Sequence, residues 1–289
     1  MLNVNILTAL NCEAKAVIDF YKLKKVRNRP FDYYTGIYHN KKTDVRCAIH
    51  VLVSGLGARN MATACGWLAG YLDQTCSAWL NLGTAGHKQL EVSTVVRVHR
   101  AIDMQTGDSY YPAMTAKWSG VNSALFTFDN ACTDYPEDVL VDMEGAAFFN
   151  VASKFSSSEL VQSLKVVSDN ENESIERLNA KLLSELIQQN IQSLDTFISA
   201  LLILQIQVIE IANTNKEYLD IIDSLHSTVS QRQQYRELIG KLMSLGAFND
   251  LDKKKILEVN SMSQVLKVLN NKLQESQLNL QALSNRGQL

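Results

Sequence analysis

The chain has 289 residues, enough for one large domain or for a medium domain with an appendage. With 46% hydrophobic residues and a formal net charge of −2, it can build a real core. Nothing in that balance points to bulk binding of nucleic acid or of an anionic membrane surface. Its five cysteines (Cys12, Cys47, Cys65, Cys76 and Cys132) lack paired or CxxC spacing. They read as reduced thiols of a cytoplasmic protein, with no disulfide framework, metal site or cofactor implied. The opening Met-Leu-Asn-Val-Asn-Ile-Leu has no basic n-region, so it does not read as a secretory signal. Residues 198–211 are strongly apolar but interrupted by Gln205, Gln207 and Glu210. The stretch is too short to span a bilayer, and a buried or partner-facing helix is expected.

In chain order, residues 4–10 read as a strand and 12–23 as an amphipathic helix. Strands follow at 32–38 and 45–53, then Ser54-Gly55-Leu56-Gly57 turns into a helix at 58–71. A short buried strand at 78–82 is closed by a turn at Gly83-Thr84-Ala85-Gly86. Residues 93–102 and 124–128 are β-rich, 139–143 a strand, 145–154 a helix and 164–167 a further strand. Strands alternating with helices predict an α/β fold: a mixed, largely parallel sheet flanked by helices.

Composition changes past about residue 175, where the chain becomes rich in Leu, Ile, Gln, Asn and Ser. One long helix is expected from Ser174 into the 190s and beyond. From Leu204 a seven-residue repeat places Leu204, Ile211, Tyr218 and Leu225 on one seam position. Val208, Asn215, Ile222 and Val229 occupy the other. A turn is expected at Gly246 and Asn249-Asp250, before an amphipathic helix carrying Met262, Val265, Leu266, Leu269 and Leu273. The boundaries are 1–203 for the α/β domain and 204–289 for an all-α helical hairpin or coiled coil. That arm either mediates oligomerisation or docks a protein partner, or it caps its own domain.

Three acidic residues, Glu13, Glu144 and Asp169, sit where strand-like runs pass into helix-like or loop segments. In an α/β sheet the ligand crevice forms at the carboxyl ends of strands. Each residue has a plain structural alternative. Glu13 and Glu144 can complement a helix dipole, and Asp169 can cap the next helical segment. The glycine turns allow close backbone approach to a ligand. Arg59 either contributes charge to the site or is a solvated helix-end residue, and His87 either reaches a substituent of the ligand or is a surface loop residue. His39, His50, His99 and His226 lack ligand-like spacing, so no metal is assigned.

Several segments in this order resemble the purine nucleoside phosphorylase and uridine phosphorylase superfamily, most of all the 5'-methylthioadenosine/S-adenosylhomocysteine nucleosidases. They are Ala9-Leu10-Asn11-Cys12-Glu13, Ser54-Gly55-Leu56-Gly57-Ala58-Arg59, Asn81-Leu82-Gly83-Thr84-Ala85-Gly86, Val141-Asp142-Met143-Glu144-Gly145 and Val166-Val167-Ser168-Asp169. The resemblance implies a hydrolase of the N-glycosidic bond of a purine nucleoside or 5'-modified adenosine derivative. It makes Asp169 the general acid, oriented by Ser168, and Glu13 the base that activates water. Glu144 and Met143 hold the ribose, and Leu10, Gly57, Thr84, Ala85 and Gly86 belong to the substrate site. It also implies a homo-oligomer, a dimer or larger. Phosphorolytic relatives carry an arginine where this chain has Asn81, which favours water over phosphate. A phosphorylase, or a nucleotide-binding module signalling through the helical arm, are the alternatives. The stretch between Gly86 and Glu144 is shorter than in the nucleosidases. Residues 126–132 are expected to supply the base-facing strand, without the aromatic residue expected beyond it.

Overall fold

A computed structural model describes residues 1–40, 44–73, 76–132, 134–135, 137–245, 247 and 250–285. Side chains are described at these positions except 212–224, 244, 250–251, 253, 257, 277 and 279–285. The chain divides into two compact units, Met1–Ile209 and Glu210–Leu289.

The first unit is built on a ten-stranded mixed sheet. β1 (Leu2–Thr8), β4 (Val45–Val53), β5 (Ala78–His87) and β10 (Val161–Asp169) form its parallel centre. β2 (Lys24–Lys25) and β3 (Asp32–Asn40) extend it antiparallel beyond β4. Beyond β10 run β6 (Val95–Asp103), which carries the short β7 (Ser109–Tyr110), then β8 (Val121–Thr127) and β9 (Leu140–Asp142). β9 returns to pair with β5 at Gly86 and His87. Strands β5, β10, β6, β8 and β9 therefore close a ring, and closure leaves those strands without a free edge.

β10 reads Val-Gln-Ser-Leu-Lys-Val-Val-Ser-Asp and is buried at every position, as a central strand covered on both faces must be. One core packs the sheet against α1 (Asn11–Tyr21), α4 (Ala180–Gln189) and the start of α5 (Ile191–Ser224). The other packs it against α2 (Ala58–Leu72) and α3 (Gly145–Ala152).

Two expectations are corrected here. β5 does not stop at Leu82 but runs through Gly83–Gly86 to His87, so those glycines serve close approach rather than a turn. The single helix expected from Ser174 is divided. Ser174 caps a 3-10 turn, Ile175–Arg177, and Asn179 caps α4 by accepting from the Lys181 and Leu182 amides. Asn190 ends α4 by donating to the carbonyls of Ser93 and Leu186. Side chains that bond the backbone locally favour such boundaries over helix interiors.

By length and composition, residues Ile191–Ile211 could cross a membrane, so the stretch is longer than the sequence suggested. Yet Ile191, Leu194, Phe197, Ile198, Leu201 and Leu202 are buried in the first core. Gln205 donates to the carbonyls of Asn3 and Cys76. The expected seven-residue seam is not a buried stripe. Leu204 and Val208 pack on the first unit's core, while Ile211 and Val229 are exposed at 56% and 84%. The side chains of Asn215, Tyr218 and Ile222 lie outside the described residues, as do Gly246 and Asn249 of the expected turn.

The second unit holds α6 (Val229–Ser244), α7 (Asp250–Leu257) and α8 (Met262–Asn285). Their shared core includes Tyr235, Leu238, Leu242, Ile256 and the expected stripe Met262, Val265, Leu266 and Leu269.

Because Phe197 is fully buried among first-unit side chains, Phe197→Ala should lower the unfolding free energy by about 3–5 kcal/mol. Denaturant titration followed by circular dichroism measures this. A loss under about 1 kcal/mol would show that α5 is not a core helix.

Candidate active site

The carboxyl ends of β1, β5, β9 and β10 converge, and a cavity of about 170 Å3 lies among them. Its lining includes Leu10, Glu13, Thr84, Ala85, Gly86, Met143, Glu144, Ser168 and Asp169. Of the ten residues that the resemblance puts in the site, all but Gly57 line it, and the Gly57 amide bonds Glu144.

Glu13 stands in the first turn of α1, 3% exposed. Its Oε2 accepts from the amides of Ala9 (3.1 Å) and Leu10 (3.0 Å). Its Oε1 accepts from the Thr84 amide (2.7 Å) and the Thr84 hydroxyl (2.9 Å). Helix capping and site membership, alternatives in the sequence, are therefore both realised. Gly83 permits the approach, since a Cβ there would lie 3.0 Å from Glu13 Oε1. Of the four donors only the Thr84 hydroxyl can rotate away, which would free a lone pair facing the cavity.

Glu144 occupies the N-cap position of α3 but makes no capping bond. Asp142 serves the helix instead: its Oδ2 accepts from the Gly145 amide at 2.9 Å, and its Oδ1 from the Thr127 hydroxyl at 2.7 Å. Glu144 is thereby free to face the cavity. Its Oε1 accepts from the Gly57 amide at 2.6 Å. Gly57 holds φ at 94°, a conformation natural to glycine. Burial, reinforced by the charge of Asp142, pushes the Glu144 carboxyl up to about 7; Lys165 and the Gly57 amide pull it down.

Asp169 ends β10 and caps no helical segment. Ser174 caps the 3-10 turn that follows, while Asn170 Oδ1 ties the intervening loop by accepting from the amides of Asn172 and Glu173. Asp169 Oδ1 accepts from the Ser168 hydroxyl and Oδ2 from the Tyr135 hydroxyl.

Lys165, Asp142 and Tyr135 were not singled out in the sequence. Lys165, at 2% exposure, bonds Asp142 Oδ2 at 2.8 Å. Burial alone would lower its ammonium, but Asp142, Glu144 and Glu13 outweigh that and raise it. The ammonium lies behind the lining, and the lining itself holds no lysine, arginine or histidine among the described residues. A lysine within the apolar run Leu164-Lys165-Val166-Val167 was the available signal.

Other expectations resolve differently. Arg59 is exposed and outside the lining. Asn81 is buried within the sheet, bonding the Leu7 carbonyl and the Ser163 hydroxyl. His87 is not a surface loop residue; it ends β5 at 3% exposure. Its Nδ1 accepts from the amides of Gln89 and Leu90, and burial lowers its pKa. The expected base-facing strand stops early. β8 ends at Thr127, and Ala131 and Cys132 of the loop beyond it line the cavity.

No protein-family model matches the chain, and no curated protein matches it significantly. The similarity lies in three dimensions. The chain shares its fold, a mixed sheet flanked by helices, with solved nucleosidase structures.

Among solved structures with this fold is a 5'-methylthioadenosine/S-adenosylhomocysteine nucleosidase from Helicobacter pylori. It is 14% identical with a TM-score of 0.56, over 69% of this chain and 98% of that one. The futalosine hydrolase of H. pylori is 15% identical with a TM-score of 0.56, over 68% and 97% of the two chains. The corresponding S. pneumoniae nucleosidase is 18% identical with a TM-score of 0.56, over 69% and 100%. At such identities the likeness establishes the fold.

The site's charges lead to two expected outcomes. Lys165→Met leaves Asp142 buried without its cation and should cost about 3–5 kcal/mol of stability. Lys165→Met with Asp142→Asn should recover part of that loss in thermal unfolding; no recovery would mean that the lysine acts through packing alone. The second concerns Glu144, whose folded pKa of about 7 lies above its ordinary value of 4.5. Between those values the folded state binds the extra proton, so stability falls as pH rises from 4.5 to 7 and is level above. Glu144→Gln should remove that part of the slope in denaturant titrations across pH.

Proposed function

We propose that the chain hydrolyses the N-glycosidic bond of a purine nucleoside or a 5'-modified adenosine derivative. The observation that carries this is the meeting of Glu13, Glu144 and Asp169 on one cavity whose lining has no basic side chain among the described residues. A phosphate nucleophile needs a cation, whereas water needs a base. The fold shared with nucleosidases acting on 5'-methylthioadenosine and with a futalosine hydrolase supports a 5'-modified nucleoside.

In this mechanism Asp169 Oδ2, which accepts the Tyr135 hydroxyl in the structure, is released from it and protonated as substrate binds, and delivers that proton to N7 of the base as the C1'–N9 bond breaks. The electron pair of that bond leaves with the base, and positive charge develops on the ribose. Ionised Glu144 accepts from a ribose hydroxyl, and Met143 packs beside the sugar. Rotation of the Thr84 hydroxyl frees Oε1 of Glu13 to take a proton from water, whose oxygen bonds C1'. An acid and a base on opposite sides of a sugar obey the logic of inverting glycoside hydrolysis. Anionic neighbours also favour the cationic transition state. All five cysteines are free, which supports a cytoplasmic setting.

The test incubates the protein with a panel of purine nucleosides and 5'-modified adenosines, with and without phosphate, and separates the products chromatographically. Free base and free ribose sugar are expected regardless of phosphate, and Asp169→Asn and Glu13→Gln should each lower kcat by about 10²–10⁴. Base release only with phosphate, giving a ribose 1-phosphate, would make the protein a phosphorylase. Tight binding without turnover, unchanged in Asp169→Asn, would make it a binding module.

A further inference from the structure

At about 170 Å3, the carboxylate cavity is smaller than the roughly 300–1,000 Å3 of pockets that hold small molecules. One side chain closes it beside Asp169. Tyr135, 5% exposed, donates its hydroxyl to Asp169 Oδ2. Its ring lies against Gly86, where a Cβ would come within 2.7 Å of Tyr135 Cε1 and of Asp169 Oδ2. Asp169 and Gly86 line the carboxylate cavity. Tyr135 itself lines a neighbouring pocket of about 270 Å3 with Asp134, Asn170, Glu171, Ser174 and Ile175. Ile175 lines both. The tyrosine is thus the wall between two spaces that, joined, reach the size of a small-molecule site.

Its backbone adds a second observation. Tyr135 sits at φ 38°, in the left-handed region that a bulky residue enters only at an energetic cost. Such conformations persist where the surroundings hold them, and they concentrate at ligand clamps and switch segments. Here the bond to Asp169 and the ring packing on Gly86 supply the hold.

We propose that Tyr135 is the specificity-determining gate of the base site. Its ring stands where a nucleobase would lie, and its hydroxyl takes the Asp169 oxygen that a base nitrogen would use. A ligand enters only as Tyr135 withdraws toward the neighbouring pocket. This inference rests on the nucleoside reading of the cavity. With Tyr135 and Ser168 both donating, Asp169 is held as an acceptor at each oxygen. A free purine carries a ring N–H that can replace the tyrosine as donor. Base and tyrosine then compete for one carboxylate oxygen, and the outcome selects which bases are admitted.

The test compares the full chain with Tyr135→Phe and Tyr135→Ala. Adenine and hypoxanthine binding is measured by calorimetry. Cys132, which lines the cavity, is alkylated with iodoacetamide and followed by mass spectrometry, with buried Cys47 and Cys65 as internal controls. Removing the hydroxyl removes a competing bond to a charged group, so Tyr135→Phe should bind adenine about tenfold tighter or more. Tyr135→Ala should bind at least as tightly as Tyr135→Phe and should label Cys132 several-fold faster, with Cys47 and Cys65 unchanged. Where the unaltered chain binds adenine, equal or weaker binding in both variants overturns the gate. So does unchanged Cys132 labelling in Tyr135→Ala, whatever the ligand does. Faster labelling while none of the three proteins binds a base supports the gate and overturns the nucleoside reading.

Discussion

One buried ammonium holds the site together. Lys165 lies in the middle of β10, covered on both faces, and its partner Asp142 is as buried as it is. Taking both charges out of water is costly, and their attraction repays it only with good geometry and further hydrogen bonds. Asp142 has those bonds, from the Thr127 hydroxyl and the Gly145 amide. A structural cluster of one cation and one anion thus sits directly behind Glu13 and Glu144. Lys165 offsets the field that Glu144 feels from Asp142 and Glu13, and without it the Glu144 carboxyl would be pushed higher still.

The remaining order comes from a division of labour among neighbouring polar residues. A carboxylate beside a helix start is normally consumed in capping that helix. In this chain Asp142, two places before Glu144, bonds the start of α3, and Ser174 caps the 3-10 turn beyond Asp169. Glu144 and Asp169 are left to face the cavity, each oriented by a donor from another element: the Gly57 amide for one, the Tyr135 hydroxyl for the other. Glu13 is the exception. It spends Oε2 on its own helix start and Oε1 on β5, so its availability hangs on one rotatable hydroxyl, that of Thr84.

This division explains what could be read from the sequence. Glu13, Glu144 and Asp169 were legible because each sits at a strand–helix or strand–loop junction within a distinctive short segment, and the α/β alternation put those junctions at one sheet edge. A strand rich in apolar and β-branched residues, such as β4 at Val45–Val53, was legible to the residue. Gly83–Gly86 misled because glycine has two uses, turning the chain and admitting a close neighbour, and only tertiary contacts separate them. His87 misled for a related reason: its ring is satisfied by amides two and three residues on, a local arrangement with no periodic signature. At 204–229 the seven-residue repeat records an apolar stripe and not its partner. Leu204 and Val208 use theirs on the first unit's core.

The stretch between Gly86 and Glu144 pairs strand closure with a loop that borders the cavity. β6, β8 and β9 need only their hydrogen bonds to close the ring through β5 and β10, and that closure fixes Asp142 and Glu144 whatever the length of the β8–β9 connection. The connection is therefore free to vary, as loops on a rigid scaffold are. In this chain it passes Ala131 and Cys132 along the cavity and brings Tyr135 onto Asp169. This loop thus sets an aromatic ring in contact with Asp169. The closed strands place the carboxylates, while the loop forms the surroundings of Asp169.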